Sequence, residues 1–412
     1  NEFTLAQATG TTGSLKLVHS HYNRILNNIL HDGNDNLLLI HSNRNLVQGN
    51  RMMKGRHSLW SIRAGSFNVI RNNYFHNEDQ KIGEIYDNEH RKDPPVLYDA
   101  AKHNMVENNA FAKTASSGDH SPFAGIQFAG QRCIVRKNQF YDIVGPALDL
   151  TLYSDEARYN YGNRVYNNVF HNTDFAGISL SGSSHHTFHD NVFKNNILSK
   201  SLFVANDTRW TWYTHELAGK PVQFMTGRLD GFVFENNNLF NRFSGEPYLI
   251  TYGMRSSSSS RPQHNVTWWQ DEYPRLFQGN IQFDPLFVDE ANHDFRIQET
   301  SPMIDAGAYL TGTVESGSGT SMPVEDVTYF YDGFGIAGEM GDSIQLNGQA
   351  QTARIIDIDY DRNSLKLDSS LSWSAGQGVS LAYSGSAPDL GAYEYGLTQA
   401  QIPKSNLGIS HH

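Results

Sequence analysis

Side chains suited to proton transfer and anion binding cluster in a few segments of this 412-residue chain. Glu89-His90-Arg91-Lys92 sets an imidazole between a carboxylate and two cations, and His120 and Tyr153 follow in later segments. A histidine near neutrality, or a tyrosine beside a cation, is a base able to take a carbon-bound proton next to a carboxylate that the cations neutralise. His90, Arg91, His120 and Tyr153 therefore suggest elimination. Asp149 suggests different chemistry, because it interrupts the apolar run Ala147-Leu148-Asp149-Leu150. Paired with Glu84, Asp87, Glu89, Asp99, Asp119 or Asp155, it would supply the two carboxylates that glycoside hydrolysis needs, about 5.5 Å apart for retention or about 6.5 to 9.5 Å for inversion. Glu84, Asp87 and Glu89 also offer clustered oxygens for Ca²⁺, without EF-hand spacing.

Ligand contact is expected elsewhere. Arg56, His57, Trp60 and Arg63 crowd one short segment, where aromatic faces would stack on sugar rings and guanidinium forks would hold carboxylate or sulfate. Gln127 and Arg158 are added as contacts. The ordinary alternatives are a solvated charged loop at 89–92, a surface aspartate at Asp149 and a core side chain at Trp60.

These residues need a scaffold, and one phrase supplies it. An apolar residue, two spacers, Asn, one spacer and a bulky apolar residue recur with Asn at 28, 50, 73, 109, 138, 168, 191 and 237. The steps are 22, 23, 36, 29, 30, 23 and 46 residues, a basic period of 22 to 23. Such a period with β-branched and aromatic content indicates a β-solenoid, one coil per repeat. The asparagine is expected to take the left-handed corner and to form an amide ladder from coil to coil. Phe75, Phe111, Phe140, Phe170 and Phe193 would stack inside. Eight coils leave seven gaps, a rod on the order of 34 Å at about 4.8 Å per step. Strands are expected at 37–41, 59–63, 96–99, 125–128, 147–150 and 177–180, with Gln127, Asp149 and Ser179 pointing outward. The longer spacings place inserted loops at 76–95, 113–124 and 151–162 beside that strand row, and a further one at 194–230. Loops on a rigid rod are where function concentrates.

Composition narrows the partners. A net charge of −11 with 18% charged residues argues against nucleic acid, and 38% hydrophobic content supports a large core. No apolar run is long enough to span a membrane and no signal peptide is visible; the chain starts without Met, as expected of a mature or trimmed form. The single cysteine, Cys133, reads as a buried structural thiol. His185-His186-x-x-His189 lacks a zinc spacing.

After Gly279 the texture changes. Phe283-Asp284-Pro285-Leu286-Phe287, Ser301-Pro302-Met303-Ile304-Asp305-Ala306-Gly307 and Pro388-Asp389-Leu390-Gly391-Ala392-Tyr393 resemble the closing segment of secreted bacterial right-handed parallel β-helices, the pectate-lyase-like superfamily. Residues 18–23 and 37–50 are distantly similar to the catalytic region of the chondroitinase B and alginate lyase family. On that match the family's catalytic Lys falls on His19, its Arg on Ile40 and a calcium-binding Glu on Leu17, so the scaffold is implied and the family's catalytic set is not.

The expected fold is all-β: a right-handed parallel β-helix over 1–310, a small inserted β-module over 311–386 that caps the rod, a closing segment over 387–400 and a tail over 401–412. The expected function is a secreted or periplasmic, monomeric enzyme acting on a polysaccharide. Elimination on an acidic glycan leads, with a hydrolase or a non-catalytic glycan-binding adhesin as alternatives. No cofactor is required by this reading, with Ca²⁺ as an option.

Overall fold

The computed structural model describes residues 2–4, 13–76, 81–86, 101–112, 124–143, 145–151, 159–173, 176–181, 187–201, 220–224, 232–240, 250–252 and 263–397. Three parallel sheets wind through the chain. Sheet A has nine strands, among them Ile29–His31 and Tyr74–His76. Sheet B has ten, among them Asp35–Ile40 and Ser58–Arg63, and sheet C has nine, among them Arg24–Leu26 and Val69–Arg71. Each coil visits C, A and B in turn and lies in register on the next, so like residues fall above like.

The amide ladder exists and is longer than the phrase count. It runs Asn28, Asn50, Asn73, Asn109, Asn138, Asn168, Asn196, Asn237 and Asn280. At each step a side-chain amide and a backbone N–H both donate to the next carboxamide oxygen; Asn50 does so to Asn73 at 3.0 and 2.9 Å. Buried polar groups are satisfied in this way without water. The left-handed residue is not the ladder asparagine but the one before it: Asn27, Gly49, Asn72, Asn108, Lys137, Asn167, Asn195, Asn236 and Gly279 all have φ between 51° and 69°.

Asn191 belongs to a second ladder five residues earlier in the coil, through Asn23, Asn45, Asn68, Asn104, Asn163 and Asn191. Cys133 takes the slot between Asn104 and Asn163, its backbone N–H donating to Asn163 Oδ1 at 2.9 Å. Burial pushes this thiol up to about 12, so it is an inert structural group, as expected. The shift of register also divides the phenylalanine stack. Phe75, Phe111, Phe140 and Phe170 are 4.4 to 5.0 Å apart in sheet A, where Leu198 follows. Phe193 instead starts a stack in sheet C with Phe234 and Phe277, at 4.4 and 5.3 Å.

The strand expected at 96–99 is replaced in sheet B by Lys81–Tyr86, which pairs with Ser58–Arg63 and with Ala124–Phe128. Residues 96–99 lie outside those described, as do 210–215 and the serines 256–260. Glu84 therefore sits on a strand rather than in a loop.

The C-terminal module is a six-stranded antiparallel sheet, Thr311–Gly312 to Gly378–Leu381. It does not cap the rod but packs along its flank. Leu46, Val69, Met105, Ile134 and Tyr166 from sheet C share one apolar cluster with Leu310, Met322, Phe334 and Ile344. Cations of the rod cross the seam: Arg44 Nε donates to the Phe334 carbonyl at 3.0 Å, Arg71 meets Glu339 at 2.6 Å, Arg136 meets Asp342 at 2.6 Å and Arg164 meets Asp326 at 2.6 Å. The end of the rod is closed instead by helix α1 (Val266–Glu272), capped by Asn265, whose Trp269 is buried in the rod core beside Phe277.

This seam makes the fold sensitive to acid. Burial opposes charge on Glu107, but Arg136 and Arg71 outweigh it and hold the carboxyl down at about 2. A depressed carboxyl contributes stability above its unfolded value, about 4.3, and loses it as pH falls through 2. The denaturation midpoint should therefore fall from about pH 4.3 downward, and Glu107→Gln should flatten that slope. A Glu107→Gln profile parallel to the wild type would refute this assignment.

Candidate functional site

Two of the three outer faces are already covered. The outer side chains of sheet C pack on the module, and those of sheet A, Tyr74, Ala110, Tyr141, Val169 and Ile197, pack on Phe287, Phe295, Ile297 and Leu390. Sheet B is different in character. Its inward residues, such as Leu37, Ile62, Ile85, Ile126, Leu148 and Ile178, belong to the rod core. Its outward row runs Leu38, Ser61, Glu84, Gln127, Asp149 and Ser179, each beside the next in register. The alternation expected for Gln127, Asp149 and Ser179 is present, and all three are buried.

A charged network surrounds this row. Lys81 Nζ donates to Glu84 Oε1 at 2.5 Å and to Gln127 Oε1 at 3.0 Å. Ser61 Oγ donates to Glu84 Oε2 at 2.9 Å, and Arg63 Nε donates to Ser61 Oγ at 3.1 Å. The Arg63 guanidinium lies 3.7 Å from Glu84 and 3.6 Å from Asp35, with the Tyr86 ring 5.4 Å away. Burial alone would raise Glu84, but Lys81, His57 and Arg63 overcome it, so its carboxyl is held below the usual range.

At the edge of this network stands a dyad. His57 Nδ1 lies 2.7 Å from Asp35 Oδ1, which also accepts from Ser58 Oγ at 2.6 Å. Burial raises Asp35, yet the hydrogen bond and charge of His57, the Ser58 hydroxyl and Arg63 together lower it. An ionised carboxylate only accepts, so Nδ1 of the imidazole donates to it, and in the neutral ring Nε2 is then the nitrogen with the lone pair. His57 is one-third exposed while Asp35 is buried, so the basic nitrogen sits on a side chain that reaches solvent and is oriented from below. Arg56, adjacent and exposed, adds a cation.

The sequence expectations divide accordingly. His57, Arg63, Gln127, Asp149 and Glu84 share this face. Trp60 does not: it is 1% exposed, lies in the rod core and meets Phe75 at 6.1 Å between ring centroids. The next coil makes room for it with Gly83, where a Cβ would stand 2.3 Å from the indole. Trp60→Ala is thus expected to cost about 3–5 kcal/mol of stability, read by chemical denaturation. Weaker glycan binding at unchanged stability would return Trp60 to the site.

Glu84 is a poor metal ligand, because two cations already neutralise it. Among the described residues no group of three or more His, Cys, Asp or Glu side chains is placed to hold a metal. Asp87, Glu89, His90, Arg91, His120, Tyr153 and Arg158 lie outside the described residues. Of the positions matched to the lyase family, His19 stacks on His41 at 5.0 Å, and Ile40 pairs with Arg63 one coil on. The guanidinium is thus present in the next coil of the same column. Sequence reasoning missed Asp35, Ser61 and Lys81. The available signal was Lys-Ile-Gly-Glu-Ile-Tyr at 81–86, which repeats the pattern of Ser-Leu-Trp-Ser-Ile-Arg at 58–63.

Residues 90–241 match the family model of the right handed beta helix region. The chain is a right-handed parallel β-helix. No curated protein matches it in sequence. Among solved structures, it is similar to pectate lyase Pel9A, with 13% identity over 96% of this chain and 86% of that one and a TM-score of 0.41. A tailspike protein mutant of E. coli bacteriophage HK620, in complex with a pentasaccharide, aligns with 11% identity over 65% of this chain and a TM-score of 0.41. The chain spans about half of that tailspike's length, 49%. The PL6 family alginate lyase AlyGC gives 15% identity, 69% and 37% coverage and a TM-score of 0.33. At these identities the likeness concerns the fold, and chemistry has to be argued from side chains. No helix among the described residues is long and apolar enough to cross a membrane.

Proposed function

We propose that the chain is a polysaccharide lyase that cuts an acidic glycan by β-elimination on the outer face of sheet B. The observation that carries this is the Asp35–His57 pair, 2.7 Å apart, with Arg63 3.6 Å from Asp35 and the exposed Arg56 next to His57 in the chain. His57 Nε2 takes the proton on C5 of a uronate. The electron pair left on C5 is stabilised through the adjacent carboxylate, which Arg56 neutralises. The C4–O4 bond then breaks, a C4–C5 double bond forms, and O4 leaves with a proton from the imidazolium. Asp35 holds the imidazole and stabilises its charged form, as a buried carboxylate does in other base dyads.

A hydrolase is the second reading, favoured by one spacing. Glu84 and Asp149 stand in one outward row with Gln127 between them, two strand steps or about 9.6 Å between backbones. This is nearer to the separation used for inversion than to that used for retention. Incubation with pectate, alginate and chondroitin sulfate, following ultraviolet absorbance and reducing ends together, separates the two. Elimination gives both signals, and hydrolysis gives reducing ends alone. Neither signal on any of them would contradict the lyase reading and support a glycan-binding rod.

A further inference from the structure

A second cleft, away from sheet B, lies where the corner between sheets B and C meets the flanking module. It encloses about 580 Å³, a volume usual for small-ligand sites (about 300–1,000 Å³). The rod contributes Arg132, Tyr161 and His189; the module contributes Thr328, Tyr360 and Asn363. Tyr161 and His189 belong to a two-stranded parallel sheet, Tyr159–Tyr161 with Thr187–His189, and their rings stack at 5.2 Å and 19°.

The charges here are unevenly satisfied. Arg164 is held by Asp326 at 2.6 Å, and its other nitrogen donates to the Asp190 carbonyl at 3.0 Å. The Asp190 carboxylate is taken by His189 Nδ1. Arg132 is exposed, and among the described residues no carboxylate is placed on its guanidinium. This cleft therefore presents an exposed arginine without a carboxylate on it, in a lining that also holds the rings of Tyr161, His189 and Tyr360, a hydroxyl and an amide, beside the Arg164–Asp326 pair and the Asp190 carboxylate.

We propose that this cleft is a second saccharide site that takes an acidic sugar. Tyr161 with His189 and Tyr360 offer ring faces, Arg132 meets the carboxylate, and Thr328 and Asn363 meet hydroxyls. The site joins rod to module, so a bound sugar would tie the two together. It does not depend on elimination at His57.

The test uses the full chain carrying His57→Ala, so that a glycan is not consumed, titrated calorimetrically with trigalacturonate and trimannuronate. Maltotriose and inorganic sulfate serve as neutral and plain-anion references. At least one acidic trisaccharide should bind, and Arg132→Gln should weaken one binding step about tenfold, the size of a lost charged hydrogen bond. Tyr360→Ala should weaken the same step. The proposal is overturned if both variants bind as the parent does, if maltotriose or sulfate binds equally well, or if no acidic trisaccharide binds. Because absorbance of unsaturated product is scored separately on the wild-type chain, failure of the lyase reading and failure of this site are distinguishable.

Discussion

His57→Ala is expected to lower kcat on an acidic polysaccharide by about 10²- to 10⁴-fold, the usual worth of a positioned general base. The loss should fall on kcat more than on KM, because Arg56 and the rest of the face still hold the uronate. Asp35→Asn makes the sharper variant. The carboxamide keeps the shape of the carboxylate, yet its NH₂ can face Nδ1, which then sheds its proton and moves it to Nε2. The base is then blocked without being removed, so Asp35→Asn should lose much of the activity while the thermal midpoint moves little. Wild-type turnover in either variant would remove the dyad from the mechanism. Glu84 and Asp149 would then be the groups to examine, through a search for hydrolytic products.

A loss of stability as large as that of Trp60→Ala is expected at the seam between rod and module. Arg136 is 2% exposed, contacts Glu107 at 2.6 Å and Asp342 at 2.6 Å, and donates to Tyr166 Oη at 2.9 Å. Asp342 in turn accepts from the backbone N–H of Tyr331 at 2.9 Å, so the carboxylate is tied into the module's own fold. Arg136→Ala strands the Asp342 carboxylate and leaves Glu107 to Arg71 alone, and breaking such a network costs about 3–5 kcal/mol. Substitution of Arg136, Glu107 and Asp342 together by apolar residues of similar volume should cost much less, since no unpaired charge remains. Urea denaturation followed by tryptophan fluorescence measures both. Equal losses in the single and triple variants would mean that packing, not charge pairing, sets the seam.

How far these residues could be read in advance depends on what each one answers to. The solenoid was legible because its amide ladder repeats one residue type at one place per coil, a constraint that loops of any length leave intact. The phrase still misassigned a coil. Phe188-x-x-Asn191-x-Phe193 and Phe193-x-x-Asn196-x-Leu198 both satisfy it, since two ladders run five residues apart and only pairing distinguishes them. Gln127, Asp149 and Ser179 were placed correctly because strict alternation with core residues fixes their side of the sheet.

Asp35 and Lys81 were not found, for a related reason. Asp32-Gly33-Asn34-Asp35-Asn36 has the composition of a turn, yet Asp35 opens a strand and is fully buried. Lys81 follows polar residues and looks like loop, but Gly83 was required by Trp60 in the coil before it, a contact between residues that are distant in sequence. The flanking module was recognised as a separate β-unit, but its position was not, because sheet C carries only one exposed-looking apolar residue per strand. Its match on the module appears only when Leu46, Val69, Met105 and Ile134 are seen in one column.

The central claim is elimination by a dyad on sheet B, and one measurement tests it most directly: the ultraviolet absorbance of unsaturated uronate released from pectate, alginate or chondroitin sulfate by the wild-type chain and by His57→Ala in parallel. The prediction is a rising signal with at least one substrate for the wild type and about 10²-fold less or lower still for the variant. Equal rates in the two proteins, or new reducing ends with no absorbance, would contradict it.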